Sequence, residues 1–371
     1  MSGSKVFIMK IITVVGARPQ FIKLASLSRA LCALSYVEEI IIHTGQHYND
    51  DMSRIFFQEL ELQAPTYNLN IGSQSHGAQT GRMLEAIEQI LLKEKPDRVL
   101  VYGDTNSTLA GALAAAKLHI PIGHIEAGLR SFNLQMPEEI NRILTDHISD
   151  LLFVPTKGAV NHLHKEGISP QKIKNVGDVM YDTALYYLQK AEEKSRILDR
   201  LKLSCGEYVL ATLHRAENTD NPNKLFSLLK GLSLVASKLP VIVPLHPRTW
   251  QAMEKNNFYK EFFQNITFIE PLGYLDIIML EKNAQLIATD SGGMQKEAFF
   301  YQVPCVTLRK ETEWMELVEL GWNTLLSSDD PDDIKATILK NLGQKGREGT
   351  PYGTGKASQK IVEILHQNRP L

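Results

Sequence analysis

The sequence contains no apolar run of the roughly 18–20 residues that a membrane span requires, no internal repeat and no low-complexity tract. Nor is one sign of charge in excess: 40 lysines and arginines stand against 42 aspartates and glutamates, scattered along the chain. The first absence argues against a helical membrane anchor. The last removes the basic stripe that draws a protein to a phosphate backbone, so neither membrane nor nucleic acid is expected as a partner, and the partner is small. Cysteine is scarce. Cys32, Cys205 and Cys305 lie in separate segments without metal-ligand spacing, and no signal-peptide pattern precedes them, so they are expected as buried thiols in the cytoplasm. Residues 1–9 carry no pattern and are set aside from the fold.

What is present is a chain of 371 residues, 43% hydrophobic and 22% charged, too long for one ordinary core and suited to two domains of roughly 150–190 residues. Short β-branched runs alternate with helical stretches, the pattern of parallel βαβ units. Strands are predicted at Ile11–Val15, Glu39–His43, Arg98–Tyr102, Ile122–Ile125 and Leu151–Val154, with amphipathic segments such as Phe21–Leu34 and Gly81–Lys93 between them. The pattern restarts at Tyr208–Leu213 and continues through Val241–Pro244, Ile266–Ile269, Leu286–Thr289 and Cys305–Leu308. A helical connector, Tyr181–Leu201, puts the boundary near residue 180, giving an N-terminal domain of residues 1–179 and a C-terminal domain of residues 180–355. The expected fold is α/β: two Rossmann-like doubly wound domains facing a cleft, with ligand loops beyond the carboxyl ends of the strands. Gly343–Gly355 reads as a surface loop and Lys356–Gln367 as the last helix.

The chemistry-bearing residues cluster in those loops. Gly16-Ala17-Arg18-Pro19-Gln20 follows the first strand but lacks the Gly-x-Gly-x-x-Gly fingerprint, which argues against a nicotinamide cofactor. Arg18 and Lys23 near this helix start suit a diphosphate or a carboxylate, or are ordinary surface cations. Gly103-Asp104-Thr105-Asn106-Ser107-Thr108 has the composition of an N-cap cluster, yet Asp104 comes one step early and sits at the strand end. His124-Ile125-Glu126 places Glu126 at the equivalent point of the next strand. In Pro137-Glu138-Glu139-Ile140-Asn141-Arg142, a helix start, Glu138 and Arg142 share a face at i,i+4, which a surface salt bridge explains as well as a catalytic role does.

In the second half, His214-Arg215 and His246-Pro247-Arg248 follow strands, although a lone histidine such as His214 is more often structural than catalytic. Asp290-Ser291-Gly292-Gly293 opens a helix with bare N–H groups at its positive end, where a diphosphate sits, and Glu297 is spaced to accept the hydroxyls of a ribose. A plain capped helix start is the competing reading. Tyr186 and Lys190 match the Tyr-x-x-x-Lys spacing of short-chain dehydrogenases but lack a dinucleotide loop, and are read as coincidence.

Taken together, Gly16-Ala17-Arg18-Pro19, Gly45-Gln46-His47, Gly103-Asp104-Thr105, His124 to Arg130, Pro137-Glu138-Glu139 with Asn141-Arg142, His214 to Asn218, and Thr289 to Gly293 resemble the non-hydrolysing UDP-N-acetylglucosamine 2-epimerases, from Lys10 to about Gln367. The resemblance implies the two-domain GT-B architecture, with the C-terminal helix (residues 356–371) returning to the N-terminal domain, and a homodimer. It implies Asp104, Glu126 and Glu138 as catalytic carboxylates, with Arg142 and His214 supporting catalysis and UDP. It implies Arg18, Lys23, His214, Ser291, Gly292, Gly293 and Glu297 as UDP contacts. The reaction it implies couples departure of UDP from C1 to removal of the weakly acidic C2 proton, with no metal and no nicotinamide.

Two departures narrow the substrate. Several family members carry an arginine just after the Thr-Glu pair of the late loop, where this chain has Trp314. The run Ser131 to Met136, with Thr145-Asp146-His147, resembles the subgroup that acts on UDP-2,3-diacetamido-2,3-dideoxyglucuronate. Tyr48-Asn49-Asp50-Asp51-Met52 differs from the Arg-Glu-Met of members activated by a second UDP-sugar, which argues against such activation. More remote readings are a GT-B glycosyltransferase, which does not explain the three N-terminal carboxylates, and a silent UDP-sugar sensor, which does not need them.

Overall fold

The computed structural model describes residues 8–46, 57–72, 74–263 and 265–369, apart from the side chains of residues 260 and 261. His47 and residues 48–52 lie outside the described residues. The chain divides into two compact units, residues 1–185 with 350–371, and residues 186–349.

Among the described residues, the first unit holds a parallel sheet of β1 (Met9–Val15), β2 (Val37–His43), β3 (Tyr67–Asn68), β4 (Arg98–Tyr102), β5 (Ile122–Ile125), β6 (Leu151–Val154) and β7 (Ile173–Asn175), in the order β3-β2-β1-β4-β5-β6-β7. The inner strands β4, β5 and β6 are buried along their whole length, as the centre of a parallel sheet requires. The alanine-rich helix Asn106–Lys117 lies so close to the sheet that a Cβ on Gly111 would stand 3.1 Å from Val14 Cβ. The helix Ala357–Gln367 belongs to this unit: the main-chain N–H groups of Ala357 and Ser358 donate to Asp182 at 3.0 and 2.7 Å, and the Ser358 and Ser26 hydroxyls lie 2.9 Å apart.

The second unit repeats the architecture with β8 (Val209–Thr212), β9 (Val241–Pro244), β10 (Ile266–Ile269), β11 (Leu286–Thr289), β12 (Cys305–Thr307) and β13 (Asn323–Leu325), parallel and ordered β10-β9-β8-β11-β12-β13. Leucine-rich faces such as Leu225, Leu228, Leu229 and Leu232 of the helix Pro222–Ala236 cover one side.

Both sheets reverse strand order at their centre, between β1 and β4 and between β8 and β11. In doubly wound sheets the carboxyl ends of the strands at such a reversal are the usual ligand position. Two expectations are corrected. Cys32 and Cys205 are exposed, and among the three cysteines only Cys305 is a buried thiol; Cys32 ends the helix Arg18–Cys32 and Cys205 lies in a turn. The strands β3 and β13, absent from the sequence reading, are two and three residues long, too short for a periodic signal.

Candidate active site

In the first unit, β4 and β5 end side by side and each delivers a carboxylate. Past β4 the chain turns at Gly103 in the left-handed region (φ 64°), which glycine adopts freely. The helix that follows is capped by Thr105, whose Oγ1 accepts the Thr108 N–H at 3.3 Å. Asp104 is thereby released from capping and pairs with Arg142, at 2.7 Å from Nη2 and 3.1 Å from Nε. Burial raises the Asp104 carboxyl, but Arg142 and then Lys23 outweigh it and hold the group below its ordinary range.

Glu126 follows β5 and is itself left-handed, at φ 68°. For a residue with a Cβ this costs on the order of 1–2 kcal/mol. The strained turn carries main-chain bonds from the Glu126 and Ala127 N–H groups to the Phe153 carbonyl, both at 3.1 Å. The Glu126 side chain is buried in an ion pair with Lys23 of the first helix. Lys23, expected at a diphosphate, is thus already engaged by a carboxylate. Arg18 begins the same helix and is half-buried. Gln20 shapes this loop: its carbonyl accepts the Gly16 and Ala17 N–H groups at 2.7 and 3.0 Å, and its amide donates to the Tyr102 carbonyl at 2.9 Å.

The third carboxylate stands in the helix Pro137–Ile148. The expected Glu138–Arg142 pair is not formed. Arg142 Nη1 donates to Glu139 Oε2 at 2.6 Å instead, because Glu139 is anchored by the Ser131 and Phe132 N–H groups at 3.0 and 2.9 Å. Burial raises the Glu139 carboxyl, and these donors more than reverse the shift. Glu138 is half-buried, without a hydrogen-bond or ion-pair partner among the described residues, so it remains available. Asn141 ties the helix to the β4 loop through the Asp104 carbonyl at 2.9 Å. Behind the carboxylates, His124 bridges Asp146 and the Gly103 carbonyl, each at 2.7 Å. Glu139, Asn141, Gln20 and the His124–Asp146 pair went unread as site residues, although the neighbouring Glu139 and Asn141 were already in the quoted motif.

In the second unit the loops after β8 and β11 meet at the buried Asp290. Its carboxylate accepts the main-chain N–H of His214 at 2.9 Å, that of Arg215 at 3.0 Å and the Asn218 amide at 3.0 Å, while His214 Nδ1 stands 3.1 Å away. Burial raises this carboxyl, yet His214 and the main-chain donors bring it down to about 2. Next to it Ser291 caps the helix Gly292–Phe300, accepting the Met294 N–H at 3.4 Å. A Cβ on Gly292 would stand 3.3 Å from Trp314 Nε1 and 3.7 Å from Arg215 Nη2; the bare glycine keeps the helix N-terminus, with Gly293, open to an anion. One turn further in, Glu297 is buried and accepts the Tyr274 hydroxyl at 3.2 Å. The Lys190 ammonium stands over the Tyr186 ring, 4.8 Å from its centre.

Known proteins carry the same pattern across nearly the whole chain. The family model for UDP-N-acetylglucosamine 2-epimerase matches residues 29–366. A UDP-N-acetylglucosamine 2-epimerase homolog of Methanococcus maripaludis is 55% identical, covering 96% of this chain and 99% of that protein. The UDP-2,3-diacetamido-2,3-dideoxy-D-glucuronate 2-epimerase of Pseudomonas aeruginosa is 51% identical, covering 96% and 99%. The crystal structure of the Methanocaldococcus jannaschii UDP-GlcNAc 2-epimerase in complex with UDP-GlcNAc and UDP superposes with a TM-score of 0.91 at 47% identity, covering 97% of this chain and 100% of that one. This chain therefore belongs to the UDP-N-acetylglucosamine 2-epimerase family, and so to the isomerases.

Proposed function

We propose that the chain interconverts UDP-N-acetylglucosamine and UDP-N-acetylmannosamine by eliminating UDP and adding it back. The observation that carries this reading is the pair of neighbouring strand-end carboxylates, Asp104 and Glu126, each beside its own cation, Arg142 and Lys23. The C2 proton of an acetamido sugar is too weakly acidic to leave alone. When the C1–O bond to UDP breaks as a carboxylate takes the C2 proton, the electron pair of the C2–H bond becomes the C1–C2 double bond of a 2-acetamidoglucal. Re-addition reverses both bonds with the proton delivered to the opposite face. That demands acid/base groups on both faces of the ring, a task for Asp104, Glu126 and Glu138 together. Ser291, Gly292, Gly293, His214 and Arg18 hold the diphosphate and stabilise it as it leaves, and Glu297 holds the ribose.

A second reading is favoured by the run Ser131 to Met136 with Thr145-Asp146-His147 and by the Pseudomonas aeruginosa relative: the substrate is UDP-2,3-diacetamido-2,3-dideoxyglucuronate. Proton NMR in deuterated water with each nucleotide sugar separates the two. Loss of the C2 proton signal with a manno-configured product from UDP-N-acetylglucosamine supports the first reading; exchange with only the diacetamido sugar moves the chain to the second. No exchange with either rejects both. The family resemblance further supports a cytoplasmic homodimer serving polysaccharide biosynthesis, and sedimentation of the purified protein tests the dimer.

A further inference from the structure

We propose that His124 is the positioning residue which fixes Asp104 and Glu126, a role that rests on the proton-transfer chemistry proposed above. The ring is fully buried and both nitrogens are in short contacts. Nε2 lies 2.7 Å from the Gly103 carbonyl oxygen, which can only accept, so Nε2 carries a proton. Nδ1 lies 2.7 Å from Asp146 Oδ1. The other Asp146 oxygen accepts from Arg130 Nη1 at 2.7 Å and from the Gly128 N–H at 3.1 Å, so the carboxyl group that holds the ring is itself held by two donors.

Arg130 is anchored in turn by Glu166, which takes its Nε and Nη2 at 2.7 Å each; His147 lies 3.9 Å from Glu166. Beyond Gly103 stand the Lys23–Glu126 and Arg142–Asp104 pairs. The clamp bears on both of these. Gly103 precedes Asp104 in the chain, and a Cβ there would stand 2.8 Å from Lys23 Nζ and 3.3 Å from Glu126 Oε2. Holding the Gly103 carbonyl from behind therefore sets the β4 turn against which the second carboxylate packs.

The test is steady-state kinetics of His124→Gln and His124→Phe in the folded full chain. His124→Gln keeps one donor for Gly103 and His124→Phe keeps none. For C2 epimerisation, kcat is expected to fall about 100-fold in His124→Phe and less in His124→Gln, with KM changed by less than about threefold. Wild-type kcat in a folded His124→Phe protein overturns the positioning role, as does a fall in His124→Gln as deep as in His124→Phe. A wild-type protein inactive on both nucleotide sugars sinks the activity reading and this role with it.

Discussion

Asp290 at the end of β11 accepts the main-chain N–H of His214, from the loop after β8, at 2.9 Å, and its second oxygen lies 3.1 Å from the His214 ring. One carboxylate thus fixes both the backbone and the imidazole of the neighbouring loop at the point where strand order reverses. Its folded value of about 2, against an ordinary 3.8, contributes about 2 kcal/mol to stability. The group is depressed in the folded state, so this contribution is complete above the unfolded value and is lost as pH falls from about 4 toward about 2. Asp290→Asn is expected to lose most of it at neutral pH and to flatten that part of the acid-unfolding curve. Urea unfolding monitored at several pH values checks both, and an unchanged acid limb would falsify the assignment.

The three carboxylates of the first unit make a sharper prediction. Asp104→Asn, Glu126→Gln and Glu138→Gln are each expected to lower kcat by about 100- to 10,000-fold, with UDP affinity preserved because Ser291, Gly292 and Glu297 are untouched. Solvent-deuterium incorporation at C2 divides them further. A variant that still exchanges the proton without forming product has lost only the group on the far face of the ring. Near-normal turnover in all three removes the carboxylate mechanism.

Much of this arrangement was legible in the sequence, because β-branched runs ending in polar residues mark the carboxyl ends of buried parallel strands. Asp104 and Glu126 were found that way. The choice between Glu138 and Glu139 was not. Helical spacing joins Glu138 to Arg142, but the preceding loop folds its Ser131 and Phe132 N–H groups onto Glu139 and commits that residue instead. His124 and Asp146 are 22 residues apart, and only the pairing of β5 with its neighbours brings them together; local pattern carries no trace of it. The exposed Cys32 and Cys205 follow from the same limit, since scarcity of cysteine says nothing about which surface a turn leaves open.

Gly292 tests the anion site. Its missing Cβ would stand 3.3 Å from Trp314 Nε1, tighter than most side-chain contacts, and would cover N–H groups at the helix start. Gly292→Ala is expected to weaken UDP binding by about tenfold, or about 1.4 kcal/mol, with little effect on folding because the neighbouring indole needs to shift by only a few tenths of an ångström. Titration calorimetry with UDP measures it. Undiminished affinity would place the diphosphate away from this loop.

Arg142 connects charge to pH. Asp104 is held below its ordinary range only because Arg142 and Lys23 outweigh the effect of burial, which acts in the other direction. In Arg142→Ala the largest lowering influence is gone, so the carboxyl rises and becomes protonated at a higher pH than in the wild type. If ionised Asp104 is needed for turnover, the acid limb of kcat/KM moves upward in pH, and kcat falls as well, since Asp104 loses its bidentate partner and Glu139 its cation. Arg142→Lys keeps one charge but cannot reach both carboxylates with a planar fork, so its limb is expected between those of the wild type and the alanine variant. A pH profile of all three proteins on the same nucleotide sugar decides the matter. An acid limb that stays in place, with only its height reduced, means that the titrating group is another carboxylate, and Glu138, which has no ion-pair partner among the described residues, is then the one to replace.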